Sequence, residues 1–213
     1  MKKNIVLFVL FILPIVAYLF FASGVNSFTK LPTITPKVAD FGNWKSLRGD
    51  VVRLDGKITV LGFSGTNLLA NRGNLFNLNQ KIYQRYHTFK DLQFVMLCPV
   101  GTEKDAQAVL DALKAFTDVK QWNFVFATPE EIANFYKQMQ LKSQLDSNYG
   151  TSSVFIFDKE RNLRGRKDKE EFKEGYNTFH PAELSNEMLD DFKILLYEYK
   201  AALKKNNNAT KQL

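Results

Sequence analysis

The sequence predicts an α/β domain of three layers: a mixed sheet ending in an antiparallel hairpin, covered by helices on both faces and preceded by one transmembrane helix. Three observations carry that reading. Two segments, 58–63 and 92–100, are apolar at nearly every position, as in strands buried on both faces. Between and after them run segments with apolar residues every three or four positions, the pattern of helices packed on a sheet. Hydrophobic residues make up 45% of the chain, with 19 phenylalanines, so 213 residues can hold one ordinary core and an anchor.

At the N-terminus, Met1-Lys2-Lys3 precedes the apolar run Ile5 to Ala22. Its length of about 18 residues just reaches a bilayer span. Pro14 inside it is tolerated in membrane helices, and Lys2 and Lys3 hold the N-terminus in the cytoplasm. Ala22-Ser23-Gly24 offers a signal-peptidase site, but the run exceeds a usual signal-peptide core, which favours an uncleaved anchor over 1–24. Residues 25–37, with Pro32 and Pro36, read as an extended linker or as an extended segment lying on the domain.

The domain is expected over 38–204. Residues 38–54 read as short strands and turns around Trp44, and Val51–Leu54, Asp55-Gly56 and Lys57–Phe63 as a hairpin. Leu68, Leu75, Leu78, Ile82 and Tyr86 recur at helical spacing from about Asn67, with Gly73 marking an irregular first turn. After the strand at 92–100, Thr102 caps a helix whose core face holds Ala106, Val109, Leu110, Leu113 and Phe116. A strand at 122–126 leads to Thr128-Pro129-Glu130-Glu131, a helix start with a cap, proline and a glutamate at the capping-box position. Ser152–Phe157 is a strand, and 162–168 its hairpin partner. The charged stretch 167–176 reads as a solvated excursion, and Glu183 to about Lys204 as a long amphipathic helix. The polar residues 205–213 are expected to be disordered.

Composition narrows the chemistry. A single cysteine, Cys98, makes neither an internal disulfide nor a multi-thiolate metal site, and within an apolar strand it reads as a core thiol. His87 and His180 lie in no ligand-spaced cluster. The net charge of +7 is that of a solvated basic surface or one drawn to anionic lipid or an acidic partner. No basic run interleaved with aromatics points to nucleic acid. Hydrolase, nucleotide and zinc-protease motifs are absent, so no enzyme is expected.

The element order, an anchor followed by a strand–turn–helix at 56–72, resembles the SCO/SenC family, membrane-anchored thioredoxin-fold proteins that bring copper to cytochrome oxidase. The landmarks are Leu31-Pro32, Asp55-Gly56-Lys57 with Phe63 and Thr66, the strand Phe94 to Val100 running into Thr102-Glu103-Lys104-Asp105, Trp122-Asn123-Phe124 before Pro129-Glu130-Glu131-Ile132, and Val154-Phe155-Ile156-Phe157-Asp158-Lys159 with Leu163-Arg164-Gly165. The resemblance implies a thioredoxin-like fold over about Leu31 to Asp168 and a bacterial inner-membrane protein with its domain in the periplasm. It also implies copper ligands: a Cys-x-x-x-Cys pair and a distant histidine, a soft donor set suited to Cu(I). Those positions hold Leu68, Arg72 and the segment Gly150-Thr151-Ser152. Copper delivery and thiol exchange are therefore not expected, nor is any cofactor or metal. The expected role is a non-catalytic, anchored scaffold or regulator in envelope or cytochrome oxidase assembly. Its partner-contact face would be Thr66, Asn67, Leu68, Asn71, Arg72, Gly150 and Thr151. The plainer readings are core packing for Leu68 and a solvated surface charge for Arg72. The alternative function is a site for a small anion or lipid-like ligand at the helix N-terminus from Thr66 to Arg72.

Overall fold

The computed structural model describes residues 8, 10–16, 30–168 and 170–210, with the side chains of 204–210 left aside. The chain divides into two units, Met1–Lys30 and Leu31–Leu213. In the first, Phe8 and residues 10–16 are helical and exposed, and most of the expected anchor lies outside the described residues. Among the described residues no helix is long and apolar enough to cross a membrane.

The second unit is built on β3 (Ile58–Ser64), buried over six of its seven residues. It runs parallel to β4 (Leu92–Pro99) and antiparallel to β6 (Gly150–Phe157). β5 (Trp122–Ala127) extends the sheet parallel to β4, and β2 (Lys45–Ser46) closes that edge. On the other side β7 (Leu163–Arg164) pairs with β6, and β1 (Thr33–Thr35) pairs with β7. The order is β1-β7-β6-β3-β4-β5-β2. Side chains alternate along each strand. Val60, Phe94 and Met96 enter one core with the helices α1 (Arg72–Leu78, continued by a π-helical turn Asn79–Tyr83 and by Gln84–Tyr86), α2 (Glu103–Lys114) and α4 (Pro181–Glu183, a π-helical turn Leu184–Met188, then Leu189–Thr210). Leu61, Phe63, Val95 and Leu97 face a second core under α3 (Pro129–Gln138) and residues 38–54. These are the three expected layers.

Several local expectations change. Val51–Leu54 is not the hairpin partner of β3, because β4 and β6 already occupy both of its edges; Val51 bridges Lys45 instead. α1 begins at Arg72, not near Asn67: residues 67–71 form a turn, and Asn71 caps the helix without a side-chain bond. Phe116 lies beyond α2, 65% exposed and edge-on to Phe76. The expected linker is part of the domain from Leu31 on, since Leu31 is buried and β1 joins the sheet, in line with an extended segment lying on the domain. Within 167–176 a two-stranded hairpin, β8 (Lys167–Asp168) and β9 (Glu171–Phe172), is exposed, but β10 (Tyr176–Asn177) pairs with β6 and buries Tyr176. α4 continues to Thr210, so the expected disordered tail is helical over 205–210 and its last three residues lie outside the described set. The capping box of α3 forms as expected: Thr128 Oγ1 accepts from the Glu131 amide, and the Thr128 amide donates to Glu131 Oε2.

Candidate functional site

Where β3 ends and β6 begins, two turns meet at backbone distance. Gly65 has φ +63°, and a side chain there would place its Cβ 2.7 Å from the Asn148 carbonyl oxygen. Glycine satisfies both demands. The Thr66 amide donates to that carbonyl at 3.0 Å. On the facing turn Asp146 Oδ1 accepts from the amides of Asn148 and Gly150, each at 2.8 Å. The carboxylate thus fixes the entry into β6 and allows Tyr149 its positive φ of 62°.

Beside this junction lies a cavity of about 420 Å³. Four of the residues expected at a contact face, Leu68, Asn71, Gly150 and Thr151, line it. Thr66, Asn67 and Arg72 do not: Thr66 is tied to Asn148 outside the cavity, and Asn67 and Arg72 are exposed to solvent. Leu68 is only 1% exposed and belongs to the core with Leu75 and Leu78, so its main role is packing. The cavity's apolar walls also include Leu75, Met96 and Val154, with Phe179, 55% exposed, at the margin.

The sequence reading missed Asn74. It lines the cavity from the first turn of α1, is 8% exposed, and its carboxamide has no hydrogen-bond partner among the described residues. The signal was present: Asn74 stands four residues before Leu78 on the apolar stripe, where a polar side chain is out of place. Ser64 at the end of β3 was also missed. Its Oγ is buried and lacks a partner of hydrogen-bonding geometry.

Cys98 lies on the neighbouring strand, fully buried, with its thiol donating weakly to the Met96 carbonyl at 3.5 Å. Burial pushes the thiol up to about 12, opposed in part by the nearby Ser64 hydroxyl. The geometry between those two groups falls short of a hydrogen bond. At neutral pH Cys98 is an uncharged core side chain and no nucleophile or metal ligand.

The positions where the resembled family carries copper ligands supply a buried alkyl group at Leu68, an exposed guanidinium at Arg72, and hydroxyls and backbone at 150–152. That donor set does not fit Cu(I), which favours thiolate and thioether. Nor does the cavity suit an anion: the only charged residue in its lining is Asp146, a carboxylate. His87, whose ring lies 3.0 Å from the Gln84 carbonyl, and His180, 3.8 Å from Glu183, are both outside this lining.

No protein-family model matches the chain, and no curated protein matches it by sequence. Solved structures do match it. A candidate protein disulfide isomerase from Bacteroides thetaiotaomicron superposes with TM-score 0.54 at 13% identity, covering 79% of this chain and 95% of that one. A candidate electron transfer protein from Aquifex aeolicus gives 0.52 at 17% identity, covering 78% and 92%. BsSco, a member of the Sco family of cytochrome c oxidase assembly proteins, gives 0.50 at 18% identity, covering 77% and 92%. The fold is thioredoxin-like. At these identities the likeness speaks for the thioredoxin-like fold alone.

Proposed function

We propose that this chain is a membrane-anchored thioredoxin-like protein that acts by binding, not by redox or copper chemistry, and that it holds a protein partner during assembly of an envelope complex such as cytochrome oxidase. The observation that carries the proposal is the substitution of the reactive positions. Leu68 fills the core, Arg72 points its charge into solvent, and the single thiol lies buried and protonated in β4. The oxidase link is supported by the order of sequence landmarks and by the thioredoxin-like fold, which the chain has in common with BsSco. The anchor is supported by the apolar run at Ile5 to Ala22. The exposed residues Asn67 and Arg72 flank the turn junction and supply polar contacts of the kind that fix register at a protein interface.

The test is crosslinking in native membranes, followed by capture of the tagged full-length chain. Oxidase subunits or their assembly factors should come with it, and the surface double variant Asn67→Lys and Arg72→Glu should reduce their yield without lowering the thermal midpoint. Capture free of oxidase components would overturn the assembly role. Stoichiometric copper in the purified protein would overturn the absence of metal chemistry.

A further inference from the structure

A buried carboxamide almost always has a hydrogen-bond partner, because leaving its donor and acceptor unmet inside a protein is costly. Asn74 sits in the first turn of a helix whose neighbouring Leu75 and Leu78 pack in the core; it is 8% exposed, its side chain makes no hydrogen bond to the described residues, and its amide atoms stay open to the cavity. The side chain lines the cavity, so its hydrogen bonds go to whatever occupies that space. Two further carboxamides, Asn71 and Gln144, stand in the same lining, and both are exposed. Each carboxamide offers both a donor and an acceptor, a set matched by another amide. Around them Leu75, Met96 and Val154 form an apolar wall. No lysine, arginine or histidine lines the cavity, and Asp146 already spends one oxygen on two backbone amides.

We infer that this cavity is a binding site for an uncharged, amide-bearing ligand with a short apolar stem, recognised by Asn74 with Asn71 and Gln144 and closed to anions. The volume of about 420 Å³ lies within the range of small-molecule sites, roughly 300–1,000 Å³. The inference rests on the reading of the chain as a binding protein but does not depend on the oxidase link. The amide has two possible sources, a free small molecule or a leucine-like residue in an extended peptide.

The experiment is a titration of the full chain in detergent micelles with N-acetyl-leucinamide, followed through the side-chain amide signals of selectively labelled asparagines. The pair of signals missing from Asn74→Leu assigns Asn74. The amide should shift that pair saturably, and the carboxylate analogue N-acetyl-leucine should bind at least about 10-fold more weakly, the worth of one or two lost hydrogen bonds. A blocked tripeptide amide, acetyl-Gly-Leu-Gly-amide, distinguishes the sources: tighter binding than the single residue assigns the site to a peptide segment, equal binding to a small molecule. No shift of the Asn74 pair, or equal binding of amide and carboxylate, overturns the inference on the unaltered protein, whatever the folding of the variant. The exposed substitution Asn71→Ala should weaken the amide by a few-fold with the thermal midpoint unchanged. Amide binding by a chain that captures no oxidase component would sink the assembly role alone; capture without amide binding would sink this site alone.

Discussion

The two ends of the central strand pair differ in how their polar groups are treated. Where β4 begins and β6 ends, ion pairs converge. Asp91 accepts from both Lys159 and Tyr199 at 2.7 Å, and Lys159 also lies over the Tyr199 ring at 3.9 Å. Next to them Arg164, buried on β7, reaches Asp158 and Glu198 at 2.8 Å each and donates to the Leu31 carbonyl. The Leu31 amide in turn donates to Glu198 at 2.6 Å. One guanidinium thus ties together β7, α4 and the first residue of the domain. At the opposite end, where β3 finishes, Ser64 Oγ is buried without a partner among the described residues, and the Asn74 amide turns to an open cavity with no hydrogen bond to those residues. The first arrangement is what stability selects. The second costs stability, and such cost is characteristic of sites that bind something.

The contrast should show as opposite signs for the same kind of substitution. Arg164→Leu leaves Asp158 and Glu198 charged and poorly solvated, with side chains only 12% and 18% exposed. Its expected cost is the largest here, about 3 kcal/mol by urea denaturation followed through tryptophan fluorescence. A loss under about 1 kcal/mol would reduce the network to the worth of surface pairs and erase the contrast. At the other end Asn74→Leu also replaces a polar side chain by an apolar one, and should raise stability by about 1 kcal/mol, because a largely buried amide with no partner among the described residues gives way to an apolar side chain continuing the Leu75–Leu78 stripe. Destabilisation by a similar amount would mean that the Asn74 amide is fully satisfied in the folded chain.

The sequence makes the stable part of the molecule far more legible than the candidate site. β3 and β4 announce themselves as apolar runs, and the cap of α3 follows from Thr128, whereas Thr102 takes the N-cap position of α2 but donates its hydroxyl back to the Pro99 carbonyl and makes no side-chain cap. Those signals are local. The failures are of long-range choices. Asp55-Gly56 is good turn chemistry, yet the edge it would have filled goes to β6, nearly a hundred residues later in the chain. Tyr176 sits in a charged stretch and looks solvated, but pairing with Val154 draws it into the core, where its hydroxyl meets Asp191 at 2.5 Å. The site mixed both kinds. Leu68, Gly150 and Thr151 follow from the family positions and Asn71 from the loop between Leu68 and Arg72, and these four line one cavity while Arg72, also a family position, stays outside it. Asn74 was visible only as a polar interruption of an apolar stripe, and nothing local says that its partner would be missing.

The ion-pair end also makes a prediction in pH. Hydrogen bonds from Lys159 and then Tyr199 hold the Asp91 carboxyl below its usual range. Its folded-state value is therefore lower than its unfolded one. The resulting stabilisation is complete above the unfolded value and is lost as pH falls through the folded one. The Asp91 side chain is 36% exposed, so screening limits the effect to about 0.5–1 kcal/mol. Unfolding free energies of the wild type and Asp91→Asn from urea titrations should differ by that amount at pH 6 and converge as pH falls below about 3. A gap that stays constant down to pH 2 would mean that the carboxylate contributes by packing and not by charge.

The smallest expected effect bears on whether the cavity end retains any redox chemistry. Cys98 stands two residues along β4 from the cavity-lining Met96, close enough for Ser64 to influence it, so a thiol reagent entering there would find the only sulfhydryl of the chain nearby. Yet the thiol is wholly buried and pushed up to about 12, and both properties suppress the thiolate that reacts. Iodoacetamide at pH 8 should leave the folded chain unmodified by mass spectrometry while modifying it in urea, with a rate that follows the unfolded fraction. The cavity floor carries Met96, whose sulfur and terminal methyl pack over Gly62 so closely that an added Cβ there would come within 2.7 Å of them. Gly62→Ala should displace that methionine and loosen the floor. If the alkylation rate of folded Gly62→Ala rises above that of the wild type, the wall between cavity and thiol is what keeps Cys98 inert; if folded wild type is itself alkylated in the absence of urea, the cavity end keeps a reactive thiol and the contrast between a stable end and a purely binding end fails.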